Sequence, residues 1–274
     1  MILIYIINHD LILFNMNFTL GSDPELFVTK KINGKLEFFP AIELIQGDKW
    51  CPVPIDDEGR SVLVDNVMVE FNTLPVLDVE SFVSEHVDFL DYIKTDMQSK
   101  KCDISDVAYA EFKPKYLDSE IARTFGCIPD FTAYTREENP SPDANGNFRS
   151  AAGHIHVGYD GHNEDDSIEL IKLLDYTIGV QSVLDDKDVN RRKMYGKAGA
   201  YRMKDFGFEY RTLSNYWIFD EKYMRSVYAG VEKAFELFNL GIKLPTELEA
   251  DVITCINTYN KSLANKIINT NLKK

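Results

Sequence analysis

The sequence predicts an α+β fold: a mostly antiparallel, twisted sheet with helices on one face and a polar, metal-lined face left for a site. Three observations predict it. Short runs that alternate polar and apolar residues with period two recur along the chain. Longer runs with apolar residues at helical spacing lie between them. Four of the strand-like runs carry Asp, Glu, His or Arg at one parity and aliphatic or aromatic residues at the other.

The chain has 274 residues, 44 Asp+Glu against 30 Lys+Arg, a formal net charge of −14 and 45% hydrophobic residues. That length supports a full core without disulfide or metal staples. The acidity disfavours a nucleic-acid partner, which needs Lys and Arg concentrated over a face. Cys51, Cys102, Cys127 and Cys255 lie far apart with no C-x-x-C pair, a pattern that fits a reducing cytoplasm better than a disulfide framework.

Residues 1–15 are strongly apolar, but they lack a basic start and a small-residue cleavage site, and His9-Asp10 interrupts them short of a membrane span. They read as a peripheral N-terminal extension or an extra edge strand, and residues 16–274 as one domain. Phe18 to Thr29 and Val62 to Asn72 read as strands, followed by an amphipathic helix from Val79 to Lys100. A loop rich in Pro, Asn, Asp and Gly spans Glu137 to Asn147 and leads into a strand at Phe148 to Tyr159. Glu164 to Leu184 reads as a helix, Gly207 to Leu213 as a strand, and Glu221 to Leu240 and Glu247 to Ile268 as helices.

Residues i and i+2 share a face of a sheet. Asp23 and Glu25 therefore share a face, as do Glu70 and Asn72, His154 and His156, and Glu209 and Arg211. Solvent-facing strands ordinarily offer Thr, Ser or Lys there. These offer carboxylates, imidazoles and a guanidinium, which together could hold divalent cations; the oxygen donors favour Mg²⁺ or Mn²⁺, and the histidines leave Zn²⁺ open. Five of the nine arginines, Arg149, Arg191, Arg192, Arg202 and Arg211, fall between residues 149 and 211, which reads as a site for phosphate or carboxylate. No Walker loop or G-x-G-x-x-G is present. As an i, i+2 neighbour of Glu209, Arg211 reads as held apart from that carboxylate and turned toward a substrate.

In order along the chain, GSDPELF, VDNVMVEFNTLP, FGCIPDFTAY, RSAAGHIHVGY, RRKMYGKAGAYR and FGFEYRTLSNYW resemble the phage-type carboxylate-amine (COOH-NH2) ligase family, type 2, of the glutamine synthetase and glutamate-cysteine ligase superfamily. The resemblance runs from about Gly21 to Trp217. It implies a glutamine synthetase catalytic-domain-like fold, with Asp23, Glu25, Glu70, His154 and Glu209 at metal and His156 near substrate or nucleotide. Arg211 would meet the substrate carboxylate or the transferred phosphoryl group, while Arg149, Arg191, Arg192 and Arg202 would serve the nucleotide phosphates. Asp-Pro-Glu stands where glutamine synthetases have two glutamates, so Asp23 would reach metal through water. Asp65 falls at the parity opposite Glu70 on one continuous strand.

The implied activity is ATP-dependent amide or peptide bond formation through an acyl phosphate, with ATP and Mg²⁺ or Mn²⁺ as cofactors. The implied partners are small-molecule or peptide carboxylates and amines, with no membrane and no nucleic acid. Two rivals share the residues: a phosphotransferase that stops at the phosphorylated product, and a catalytically silent metal-binding or virion-associated protein.

Overall fold

The computed structural model describes residues 17–119, 122, 130–140, 146–187 and 189–270. Residues 1–15, and 141–145 of the expected polar loop, lie outside them. The first half of the chain forms β1 (Phe18–Ser22), β2 (Glu25–Ile32), β3 (Lys35–Phe39), β4 (Val53–Pro54), β5 (Ser61–Asp65), β6 (Met68–Asn72), β7 (Cys102–Ser105), β8 (Tyr109–Glu111) and β9 (Phe131–Thr132). β10 (Phe148–Ser150), β11 (Ile155–Tyr159), β12 (Ala200–Lys204) and β13 (Gly207–Tyr210) complete the strands.

Helices and antiparallel strands mix as expected, but the strands make two large sheets rather than one. One sheet has the order β1-β11-β13-β12-β9, and the other the order β3-β2-β6-β5-β4 with β7 also paired to β2. β8 and β10 form a separate ribbon. Runs that read as single strands break at turn residues. Pro24, which has no N–H to give a ladder, separates β1 from β2. Asn66 takes a left-handed φ of 56°, which Asn tolerates, and folds the second run back into the β5–β6 hairpin. The run from Phe148 to Tyr159 divides between the ribbon and the first sheet. β12 was not expected, because its approach through Gly196 and Gly199 reads as a loop.

The break at Pro24 joins the sheets. Asp23 N–H still reaches the His154 carbonyl at 3.4 Å and Glu25 N–H the Ala152 carbonyl at 2.8 Å, while Phe71 N–H donates to the Pro24 carbonyl at 3.3 Å. One strand path thus carries Asp23 into the first sheet and Glu25 into the second.

The helices are α1 (Val79–Ser99), α2 (Glu164–Leu174), α3 (Val180–Asp185), α4 (Arg191–Met194), α5 (Glu221–Asn239), α6 (Thr246–Thr258) and α7 (Lys261–Ile268). Asp78 caps α1 by accepting from Ser81 N–H at 2.9 Å, and Asn163 caps α2 by accepting from Asp166 N–H at 2.9 Å. A π-turn, Asp175–Gly179, joins α2 to α3. The expected last helix is two, because Tyr259 turns left-handed at φ 55° and the Asn260 side chain then caps α7. No helix among the described residues is long and apolar enough to cross a membrane.

α1, α2 and α5 bury Phe82, Phe89, Ile168, Val227 and Val231 in one cluster with Leu20, Ile155, Val157, Phe208 and Tyr210 of the first sheet. Each such large side chain contributes roughly 1.5–3 kcal/mol on burial. This fixes the faces: Ile155, Val157, Phe208 and Tyr210 look to the helices, so His154, His156 and Glu209 look away. Trp217 is fully buried, stacks on Phe82 at 5.6 Å and donates its indole N–H to the Gly153 carbonyl at 3.0 Å. A side chain at Gly153 would run into Trp217 and the Ser214 carbonyl.

His86 on α1 is fully buried. Its Nδ1 lies 2.6 Å from the Phe82 carbonyl, which can only accept, so Nδ1 carries the proton and Nε2 accepts from Ser22 Oγ at 2.6 Å. Burial holds its pKa down at about 4, against an ordinary 6.5. The unfolded chain therefore binds a proton that the folded chain refuses between these values, and stability falls as pH drops from 6.5 to 4, by about 3 kcal/mol in all. Replacing His86 with Gln should make the acid limb of a stability-against-pH curve shallower by about one proton. An unchanged slope in urea titrations across that range would contradict this role.

Candidate active site

Strand register assembles the site. Gly21, His156, Glu209 and Arg202 stand directly opposite one another across β1, β11, β13 and β12, and opposed residues share a face. In the second sheet Glu25, Glu70 and Leu63 make the corresponding row on β2, β6 and β5. Asp65 lies two residues beyond Leu63 and so on the same face. The hairpin turn at Asn66, rather than a bulge, removes the parity conflict between Asp65 and Glu70.

Two groups of candidate ligands result. Asp23, His156 and Glu209 offer atoms within 4.8 Å of one another, and so do Glu25, Asp65 and Glu70. His154 touches the first group through Nδ1, 3.4 Å from Asp23 Oδ1 and 3.3 Å from Glu209 Oε1. The resemblance implies His154 as the likelier metal or phosphate contact and His156 as close to substrate or nucleotide. In the structure His156 stands in the ligand row, because it is opposite Glu209, while His154 sits just before the strand begins.

Cations surround these carboxylates. Arg211 Nη1 bonds Glu209 Oε1 directly and lies 3.3 Å from His154 Nδ1, and its Nε donates to Asp130 Oδ2 at 3.3 Å. The expectation that Arg211 is held apart from Glu209 is thus corrected: the side chain bends back along the strand to meet it. Lys204 Nζ lies 2.8 Å and Arg202 Nη1 3.5 Å from Glu209 Oε2, and Lys49 Nζ 2.7 Å from Asp65 Oδ2. Asp130, Lys49 and Lys204 escape a reading of the sequence. Lys204 had a usable signal, since it shares strand parity with Arg202. Asp130 lies inside the FGCIPDFTAY motif, which assigns it no role, and Lys49 stands alone in an irregular segment and had no signal.

The remaining arginines divide. Arg149 spends its donors on Asn66 Oδ1 at 2.9 Å and on the carbonyls of Ala122, Gly146 and Phe148 at 2.6, 3.0 and 2.7 Å, which braces the Asn66 turn. Arg192 donates to Ser182 Oγ at 2.6 Å and lies 3.9 Å from Asp186. Arg191 is 1% exposed and lines a cavity of about 50 Å³ with Glu25, Asp65, Asp130, His154 and Arg211. Among the described residues no carboxylate lies within 4 Å of it, and its Nη1 donates to the Thr212 carbonyl at 3.1 Å. A side chain at Gly196, where φ is 71°, would collide with this guanidinium and with the Thr212 carbonyl.

Crowding polarises the titrations. Burial and then the Asp65 charge push Glu25 up to about 7, against the pull of His154. Burial and the charges of Asp23, Asp65 and Glu25 raise Glu70 well above the usual range. For Asp23 burial works upward, but the His156 charge together with hydrogen bonds from His154 and His156 outweighs it and holds the carboxyl low. Burial likewise opposes the lowering of Glu209, and His154, Arg211 and Lys204 outweigh it. His156 is raised, since Asp23 and Glu209 outweigh its burial.

The donors fit divalent cations. Asp23 Oδ1, His156 Nε2 and Glu209 Oε2 are buried with no hydrogen-bond partner, although charged neighbours stand within ion-pair distance of each. A cation would satisfy all three. Carboxylate oxygens with one imidazole nitrogen suit Mg²⁺ or Mn²⁺ and accommodate Zn²⁺.

Comparison with known proteins follows this geometry. Residues 146–236 match the family described as Phage phiEco32-like COOH.NH2 ligase-type 2, a stretch that holds His154, His156, Glu209, Arg211 and the clustered arginines but not Asp23, Glu25 or Glu70. Among solved structures, one described as apo GmaS without ligand aligns at 12% identity over 92% of this chain and 68% of that one, with a TM-score of 0.39. No curated protein matches. From β10 to α5, the stretch of chain that supplies the histidines and the Glu209–Arg211 pair is similar to the type 2, phage phiEco32-like COOH.NH2 ligase family.

Proposed function

We propose that the protein is an ATP-dependent ligase that joins a carboxylate to an amine. The observation that carries this reading is the pair of adjoining ligand groups, Asp23/His156/Glu209 and Glu25/Asp65/Glu70, beside a cavity walled by Arg191 and Arg211. Two cation positions beside an anion pocket suit phosphoryl transfer to a carboxylate.

A carboxylate has no good leaving group, so an oxygen of the acid would attack the γ-phosphorus of ATP, and the bond to ADP would break. The amine nitrogen would then attack the acyl carbon and lose a proton, and the bond to phosphate would break. Bound Mg²⁺ or Mn²⁺ would supply charge neutralisation on the phosphate oxygens. Arg202 and Lys204, both partly exposed beside Glu209, would face the nucleotide phosphates. Arg191 has the properties of a carboxylate anchor, because a buried guanidinium without an anionic partner is costly until a ligand provides one. The cavity beside it has room for a few waters or one carboxylate, as about 10–15 Å³ holds one water, and not for a triphosphate. Asp130 lines the same cavity and is our assignment for the group that takes the amine proton. The free thiols of Cys51, Cys102 and Cys255 accord with action in a reducing compartment.

Incubation with ATP, Mg²⁺ and pools of amino acids or peptides should release phosphate and yield a product whose mass equals condensation. Replacing Glu209 with Gln should lower turnover by roughly 10²–10³-fold while leaving the circular dichroism spectrum intact. A phosphorylated product without condensation would favour the phosphotransferase, and no turnover with any pool would favour the silent protein.

Metal binding should also be proton-linked. Glu25, held near 7, and Glu70 and His156, both raised, must give up protons to become ligands. Affinity for Mn²⁺ should therefore rise with pH through about 7, and calorimetry at pH 6 in buffers of different ionisation enthalpy should report proton release. Binding heats independent of the buffer would contradict this.

A further inference from the structure

The helix side of the first sheet holds a buried carboxylate that the chemistry above does not use. Asp175 is fully buried and opens the π-turn between α2 and α3. A π-turn inserts one residue into a helix and re-aims the side chains around it, and such turns are frequent at functional sites. Here it directs Asp175 at the back of the strand that carries Glu209 and Arg211.

Three hydroxyls converge on this carboxylate. Tyr210 donates to Oδ1 at 2.7 Å and Tyr134 to Oδ2 at 2.9 Å, while the Thr212 hydroxyl shares its one proton between Oδ1 at 3.3 Å and the Lys197 carbonyl at 3.0 Å. Tyr210 and Thr212 flank Arg211 in the chain, so they turn to the helix face while Arg211 turns to the site. The Thr212 carbonyl receives Arg191 Nη1. Tyr134 follows β9, whose preceding residue Asp130 receives Arg211 Nε. Ala133 N–H is bonded to the Gly199 carbonyl at 2.9 Å, which ties that segment to the start of β12.

We infer that Asp175 is a positioning residue of the site: through Tyr210, Thr212 and Tyr134 it sets where Arg211, Arg191 and Asp130 stand relative to one another. An apolar contact would hold Tyr210 and Thr212 against the helices equally well but would leave the Arg211 side of the site free to shift relative to the Asp130 segment. A carboxylate gripping hydroxyls on both sides of Arg211, and a third on the Asp130 segment, removes that freedom. Burial pushes the Asp175 carboxyl up to about 7 even though all three hydroxyls oppose the rise. A buried acid of this kind is a poor choice for stability alone, which leaves geometry as its role.

The assignment rests on the ligase reading only for what the two arginines bind, and the test separates the two. In the full-length protein labelled with ¹⁵N-arginine, the Nε–H resonances of Arg211 and Arg191, assigned through Arg211→Lys and Arg191→Lys, are compared with those of Asp175→Asn and Tyr134→Phe. Asp175→Asn keeps the shape and one acceptor oxygen. It should shift or broaden the Arg211 and Arg191 signals while the surface-paired Arg136 and Arg225 stay fixed. Tyr134→Phe, which removes the hydroxyl on the Asp130 side alone, should move Arg211 more than Arg191. If the ligase reading holds, Asp175→Asn should also lower kcat by on the order of 10²-fold with the KM for ATP unchanged. Moved resonances in a protein without ligase activity would leave the positioning role standing and remove only the ligase reading. Unmoved Arg211 and Arg191 signals, with or without a lower melting temperature, would overturn the positioning role.

Discussion

Five carboxylates, Asp23, Glu25, Asp65, Glu70 and Glu209, stand in two touching groups at the junction of two sheets, and the rest of the structure answers to that fact. Two like charges 4 Å apart repel by about 4 kcal/mol at the effective dielectric of a protein. Such a group persists only with protons or cations among its members. Both are present. Burial and neighbouring charge push the Glu25 and Glu70 carboxyls toward their protonated forms, while His156, Lys204, Arg211 and Lys49 contribute positive charge at close range.

Holding mutually repelling groups in place requires a rigid support, and the fold supplies it from behind. The aliphatic and aromatic partners of the site residues, such as Ile155, Val157, Phe208 and Tyr210, are sealed against α1, α2 and α5. Cross-strand register then places each polar side chain, because His156, Glu209 and Arg202 cannot change row without carrying their core neighbours to the wrong face. Pro24 connects the two rows. By ending one ladder and allowing the next to begin, it sends Asp23 and Glu25 to neighbouring groups although they are only two residues apart.

Strand parity carried much of this into the sequence. The polar faces of the strands that carry His156, Glu209 and Glu70, and the extents of α1 and α5, were readable from periodicity, whereas Asp23 and Glu25 part at Pro24 into different groups. Contacts that depend on turns were not. Asp65 changes faces only because Asn66 adopts a left-handed conformation, and nothing in a period-two pattern announces that. The choice of His156 over His154 as the ligand-row histidine depends on which residue stands opposite Glu209, a matter of register between strands distant in the chain. Arg149 looks like an anion binder as a residue type, yet Asn66 and neighbouring carbonyls claim its donors. Asp175 sits inside a helical pattern that gives no sign of a π-turn.

If the two carboxylate groups are two cation positions, each should hold its own ion. Anomalous diffraction from crystals grown with Mn²⁺ and a non-hydrolysable ATP analogue tests it most directly. The account predicts two peaks, one bounded by Asp23, His156 and Glu209 and the other by Glu25, Asp65 and Glu70. A single peak, or none in a crystal with the analogue bound, would contradict it.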